Sequence, residues 1–505
     1  MFGEILAALL VSRLCHLRIL WADGDYHLAA AVQMLQGSAL YRDFWFDKPP
    51  LTPLLYLAFG ARPGAVLMLS SAMYLFAACL LAYFIARRLW GEREGLAAAA
   101  LLAWSLIFYL PAAVVPLVPD LAMILPHLAA IACLAGGFPV AAGVAAGIAL
   151  FFNVKGVFVL AVCLMWLPKS WLKVTAGFGA VAAAGALILI ATGTWNGYWE
   201  QVWKWSLAYA GSTPIAEPYL NALRRTANWL GFHSALAAST VVFFLRERSP
   251  LRRRAAIWIV VSALGVCLGL RFLPRYFFQV LPALAIFGAR GLMLAFGMRP
   301  KIVVLLAGLL LLVPVVRFGP RYMILASDLI ANREHRWGDL ALDQDNQAVA
   351  LIVEQRARAG DTLFVWGYRP GIFVYTRLDA GSRFLDSQPL TGVPADRHFT
   401  TSKPIKPDWA RANREELASS SPTFVVDSLS RANARLAMDR FPELRDWFQH
   451  YRVVGETALS VIYERTELPD ATGVLARHRL PRLAPEGLLK FGHVRDDAVH
   501  PVLPR

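Results

Sequence analysis

The chain has 505 residues, 57% of them apolar and 17% charged, with a mean hydropathy of +0.49 and a formal net charge of +15. This excludes a wholly soluble globular protein and describes a polytopic membrane protein with some soluble mass. The basic residues are interrupted by long apolar runs, so the positive charge is better explained by anionic lipid headgroups and topology control than by nucleic acid.

Residues 3–20 are mostly apolar but contain Arg13, His16 and Arg18. That is too polar for a helix surrounded by lipid, so one face is expected to meet the bundle interior or the headgroups. Charges interrupt the apolar core and no small-residue cleavage site follows, so a cleaved signal peptide is not expected. Segment 22–50, ADGDYHLAAAVQMLQGSALYRDFWFDKPP, is the first strongly polar stretch. It holds Asp23, Asp25, Asp43 and Asp47, an aromatic cluster, and Lys48 ahead of two prolines. Within it, 26–36 places Leu28, Val32 and Leu35 on one side of a short amphipathic helix, predicted to lie at the membrane surface and to end at Gly37.

After a short apolar piece at 51–59, spans are predicted at 64–86, 94–113, 120–136, 138–152, 156–168, 171–192, 229–245, 255–270, 275–294 and 301–317. With the first, that makes about 11 helices. The five cysteines (Cys15, Cys79, Cys133, Cys163, Cys267) lie in apolar segments without CxxC or CxxxC spacing and read as small buried hydrophobes. One set of loops carries Arg87, Arg88 and Arg93, then Lys169 and Lys173, then Arg246, Arg248, Arg252, Arg253 and Arg254, then Arg290, Arg299 and Lys301. The positive-inside rule makes this set cytoplasmic. The alternate set is the aspartate-rich loop, the 111–120 turn, the Trp-rich 193–228 segment and the 271–275 link. These, with everything after 318, are expected on the periplasmic or extracellular side of the inner (plasma) membrane.

From Arg321 the composition changes. Segments 361–367 and 422–427 read as buried parallel strands, preceded by helical patterns at 346–359 and 411–419. Segments 451–454 and 458–464 suggest a terminal hairpin. The fold class is therefore mainly α: a transmembrane helix bundle over 1–320 and an extracytoplasmic α/β domain over 321–465. An irregular tail is expected over 466–505. No internal repeat is visible, which counts against common transporter architectures.

Asp23 and Asp25 follow the first helix. The plain reading is helix capping and loop solvation; the functional one is a pair of carboxylates at the mouth of a bundle. Lys48 is either a snorkelling lysine or a cation awaiting a phosphate. Arg271 and Arg275, followed by Tyr276, sit in a very short outward link against the charge trend, which suggests an anionic partner or a pairing with Asp23, Asp25 or Asp120. Lys155, isolated between two apolar helices, needs a counter-ion from protein or ligand. Asp120 either caps its helix or faces the cavity. Trp195, Trp199, Trp203 and Trp205 read as an interfacial aromatic belt rather than a sugar-stacking surface.

The order of these features resembles the GT-C superfamily of integral-membrane glycosyltransferases, in the branch of protein O-mannosyltransferases and the aminoarabinose transferase. The resemblance rests on the acidic pair Asp23 and Asp25, on Asp47-Lys48-Pro49-Pro50 at the start of the next helices, and on the arginine-bearing link leading into Tyr276-Phe-Phe-Gln-Val-Leu-Pro282. It covers most of 1–320. It implies inverting transfer of a sugar from a polyprenyl-phosphate-linked donor to a glycan, lipid or protein acceptor. It also implies an acidic pair at Asp23 and Asp25, either of which suits a general base, and a phosphate contact at Lys48; between the two carboxylates our own reading favours Asp23 by a small margin. The reading of the residues adds Lys155, Arg271 and Arg275 as cations for the leaving phosphate, with Tyr276 and Asp120 beside them. Some members use a divalent metal; no His or carboxylate cluster in this chain demands one. The rival readings are a transporter or flippase of an anionic polyprenyl-linked lipid and a non-catalytic assembly subunit. Under the enzyme reading, Asp23, Asp25, Lys48 and the 271–275 arginines should line one outward cavity.

Overall fold

In a computed structural model the described residues are 1–212, 215, 217–298, 300–333 and 340–466; the expected tail thus lies almost wholly outside the described residues. A helix forms at each predicted span, from Phe2–Leu14 to Pro300–Ile330. Ala65–Leu89, Pro119–Gly136, Pro168–Ala191, Leu251–Leu270 and Pro300–Ile330 are long and apolar enough to cross a membrane alone. Pro218–Phe232 and Ser234–Arg246 meet at 91°, so the second leads into the bundle while the first leaves it sideways. Shorter apolar helices, Pro139–Phe152, Gly156–Trp166 and Leu281–Phe296, complete the bundle. They tolerate their length because they pack inside it.

Glycine makes one of these contacts possible. A Cβ on Gly143 would collide with the Val174 carbonyl, and one on Gly177 with that of Val140. The two helices therefore approach backbone to backbone, as small residues permit where lipid supplies no hydrophobic drive.

At the end of the bundle bearing the basic loops, Arg290 bonds Glu94 at 2.6 Å and Glu247 at 3.2 Å and lies over the Trp90 ring. One guanidinium thus joins three chain segments.

The soluble domain is a mixed five-stranded sheet in the order β2-β1-β3-β5-β4. β1 (Thr362–Trp366) runs parallel to β2 (Asp379–Ala380) and β3 (Phe424–Asp427), while β4 (Tyr451–Glu456) and β5 (Val461–Arg465) form the terminal hairpin. Leu363–Trp366 and Phe424–Val426 are wholly buried, as their continuous apolar runs require. Helices Ala341–Glu354 and Pro407–Ala418 cover the sheet. The change of composition at Arg321 falls inside the Pro300–Ile330 helix, so the bundle and the domain share a continuous element.

The aspartate-rich segment lies between the two. Its helix runs Ala22–Leu35, starting four residues earlier than expected, and Gly37 turns the chain with φ 97°. It is not a membrane-surface helix: Gly24–Gln33 are all buried. Gln33 explains why. Its side chain donates to the Leu378 carbonyl at 3.0 Å and accepts from the Ala380 backbone N–H at 2.9 Å, so the polar face docks on the sheet edge instead of facing water.

Candidate functional site

Residues two apart on an α-helix point about 200° apart. Because Asp23 and Asp25 both lie in the first turn of Ala22–Leu35, they cannot share a cavity. Asp23 forms an ion pair with Arg275 and keeps a third of its side chain exposed. Asp25 is 2% exposed, faces the soluble domain and accepts the Gly371 backbone N–H at 3.1 Å. Burial, with Asp343 nearby, pushes the Asp25 carboxyl well above the usual carboxylate range, against the Gly371 bond and Arg369. The expectation that both carboxylates line one cavity with the cations is corrected here for Asp25.

Next to Arg275 in the chain, Tyr276 covers Lys155: the Lys155 ammonium lies 3.3 Å from the ring centroid and 2.9 Å from an Asp120 oxygen. Asp120 and Lys155 are both buried, so the expected counter-ion of Lys155 is supplied by the protein. The turn Val118–Asp120 and the break at Asn153–Lys155 between two apolar helices hold this block together.

Asp47 is buried and pairs with Lys48 at 2.8 Å, whose side chain remains 41% exposed. The Asp47 backbone N–H donates to the Tyr26 hydroxyl, and Gln388 of the soluble domain donates to its carboxylate at 3.3 Å. Two prolines follow Lys48, and the second, at φ −77° and ψ −21°, already leads into the helix Leu51–Ala58.

Arg271 is 2% exposed. It bonds Asp396 at 2.6 Å, donates to the Tyr209 hydroxyl and stacks on the Tyr209 ring. Among the described residues its Nε and Nη2 have no partner. Tyr209 lies within electrostatic reach of Tyr276 and Asp47, and Tyr368 within reach of Asp386, Asp47, Asp25 and Arg275. The two tyrosines therefore mark one region shared by the Asp23–Arg275, Asp47–Lys48 and Arg271 groups.

Sequence reasoning missed the soluble domain's share: Tyr368, Asp386, Gln388 and Asp396, with Tyr209 from the Trp-rich segment. Asp386 is 1% exposed; burial and the neighbouring Asp47 push its carboxyl up to about 7, against the Gln388 backbone N–H it accepts. The one signal was the polar Asp386-Ser387-Gln388 run between Phe384-Leu385 and Pro389-Leu390.

Among the described residues no three His, Cys, Asp or Glu side chains gather as metal ligands. Asp23, Asp47 and Asp120 each already face a cation, so this donor set does not fit a divalent ion, and no step below is routed through one.

No family model and no curated protein matches the sequence. Among solved structures, the chain is similar to ArnT from Cupriavidus metallidurans bound to undecaprenyl phosphate, with TM-score 0.58 and 15% identity over 91% of this chain and 96% of that one. Apo ArnT from the same organism gives TM-score 0.56 and 14% identity over 91% and 97%. Archaeal oligosaccharyltransferase AglB from Archaeoglobus fulgidus, in complex with an inhibitory peptide and a dolichol-phosphate, gives 0.49 and 14% over 93% and 75%. The chain has the fold of ArnT. A polytopic helical bundle followed by a C-terminal domain is thus established for it.

Proposed function

We propose that this protein is a GT-C-type glycosyltransferase of the inner (plasma) membrane. It moves a sugar from a polyprenyl-phosphate-linked donor to an acceptor hydroxyl on the periplasmic or extracellular side. The observation that carries the reading is a set of cationic donors left over after pairing, where the 271–275 link and Lys48 meet the C-terminal domain. Among the described residues Arg271 is buried with two nitrogens unpartnered, Lys48 is partly exposed, and Arg275 is paired only with Asp23, a third of whose side chain is exposed. Buried donors without partners call for an anion. The undecaprenyl phosphate in the ArnT complex supports a polyprenyl phosphate as that anion.

In the proposed step the acceptor oxygen attacks the anomeric carbon as its bond to the phosphate oxygen breaks, with inversion. The acceptor proton passes to Asp23, and the lipid phosphate leaves as an anion held by Lys48, Arg275 and Arg271. Such a leaving group needs cations more than an acid. Arg275 pairs with Asp23 before the donor arrives, then shares its charge with the phosphate. Asp120, Lys155 and Tyr276 brace the arginine link from behind, and Asp25 docks the helix on the soluble domain. The acceptor enters only as a hydroxyl-bearing glycan, lipid or protein.

The test is purified protein with polyprenyl-phosphate sugars, wild type beside Asp23→Asn. Equal product from both would remove Asp23 as the base. Labelled lipid crossing a vesicle membrane without donor consumption would replace the transferase with a flippase.

A further inference from the structure

The transfer step above uses cations of the bundle alone, yet the soluble domain places a buried arginine beside them. Arg397 is 5% exposed and ends the short turn Ala395–Arg397. It reaches across to the bundle: its Nη2 donates to the Ser212 carbonyl and its Nη1 to the Ser212 hydroxyl at 3.4 Å. Arg397 and Arg271 also converge on one ring, with guanidinium carbons 5.6 Å and 3.6 Å from the Tyr209 centroid.

Asp396 is the carboxylate that these two arginines share. Its Oδ2 lies 2.6 Å from Arg271 Nη1, while its Oδ1 is 4.0 Å from Arg397 Nε, too far for a hydrogen bond. Two deeply buried guanidinium groups thus divide one carboxylate, whose own side chain is 38% exposed. Among the described residues Arg271 Nε and Nη2 and Arg397 Nε remain without hydrogen-bond partners. Buried donors in this number are under-supplied by a single aspartate. A phosphate fits them better, because it offers more oxygens and pairs with arginine two bonds at a time. The fit improves as a sugar leaves, when the phosphate gains a further free oxygen and a further negative charge. The turn is also tied to the site. Gln388 accepts the Ala395 N–H at 3.0 Å and donates to Asp47 at 3.3 Å, and Asp47 holds Lys48.

We propose that Arg397 is a further ligand of the leaving lipid phosphate, beside Arg271, and that Asp396 stands in for this phosphate until the donor binds. The unpartnered nitrogens are closed to solvent with Asp396 in place. Asp396, already partly in solvent, withdraws from Arg271 and uncovers them, and phosphate oxygens take the donors it releases. No covalent bond changes in this exchange. The assignment rests on the polyprenyl-phosphate reading above and adds to it a ligand from the soluble domain.

The experiment measures binding of undecaprenyl phosphate to the full chain in phosphatidylcholine nanodiscs, with donor turnover followed in parallel. Two neighbouring substitutions should act in opposite directions. Arg397→Gln should weaken binding about ten- to hundredfold, the worth of one charge-assisted hydrogen bond. Asp396→Asn keeps the shape but removes the competing charge, and should tighten binding about three- to tenfold. A cluster that only braced the two domains would respond to both changes alike, with weaker binding and a lower melting temperature. Unchanged binding in Arg397→Gln, or weaker binding in Asp396→Asn, therefore overturns the proposal. So does displacement of the lipid by inorganic phosphate at equal concentration, which would make this a site for the free anion. If Arg397→Gln does not fold, Arg397→Lys and Asp396→Asn carry the test. The two readings fail separately. Binding with these opposite responses but no turnover by wild type would remove the transferase and leave the phosphate site standing. Turnover by wild type with binding unaltered in Arg397→Gln would remove Arg397 and leave the transferase.

Discussion

The two ends of the bundle use the same side chains to opposite effect. At the basic-loop end, Arg290 is shared between Glu94 and Glu247 and capped by Trp90, so carboxylates outnumber the cation and close it off. At the other end each cation has one carboxylate and donors are left over. Among the described residues Arg271 has one carboxylate partner and two unpartnered nitrogens, Lys48 has one buried partner and a partly exposed side chain, and Arg275 holds an aspartate a third exposed. An ion pair by itself says little about purpose. What separates a brace from a binding site is whether donors remain once the protein has satisfied what it can.

That contrast can be broken most sharply at Asp23. Asp23→Asn should lower the turnover of a polyprenyl-phosphate sugar by about 10²–10⁴, the usual range for a general base, with little change in donor KM. Next come the surplus cations. Arg271→Gln and Lys48→Ala should each raise donor KM about ten- to hundredfold, measured by initial rates against donor concentration. If Arg290→Gln raised KM equally, the distinction between the two ends would fail. Arg290→Gln should instead lower thermal stability, by about 3 kcal/mol if its carboxylates stay charged, and leave KM unchanged.

The smallest effects are expected from the carboxyls facing the soluble domain. Asp25→Asn keeps an acceptor for the Gly371 N–H and replaces a carboxyl whose raised titration already favours its neutral form. Activity should fall less than about tenfold, unlike Asp23→Asn. Asp386 gives this region a pH dependence. Its carboxyl titrates near 7 in the folded protein against about 3.9 unfolded, so folding binds a proton there. The stability it contributes is complete below about pH 4 and is lost as pH rises through 7. Melting temperatures should therefore fall between pH 5 and pH 8, and Asp386→Asn should flatten that slope.

Much of this was legible in the residues. The apolar runs located the helices because a bilayer demands continuous hydrophobicity. The apolar strands Leu363–Trp366 and Phe424–Val426 announced themselves for the same reason, burial on both faces. Asp23, Lys48, Arg275 and Lys155 drew notice because charge in apolar surroundings needs an explanation. Their partners were harder. Lys155 might have met a ligand phosphate or a carboxylate, and only the approach of Asp120, 35 residues away, assigns it to the protein.

Hydropathy and charge placement, then, determined by themselves that this chain spans a membrane many times, carries an α/β domain after the bundle, and gathers charge beside its first helix, because these follow from local composition and the alternation of passes. Tertiary structure alone decided the rest. Starting the helix at Ala22 set the phase that turns Asp23 to Arg275 and Asp25 to Gly371. Docking of the sheet on Gln33 buried a helix whose pattern fits a membrane surface, and it brought Asp386 and Gln388 to Asp47. Helix phase and contacts across more than three hundred residues are properties of packing, and no local pattern encodes them.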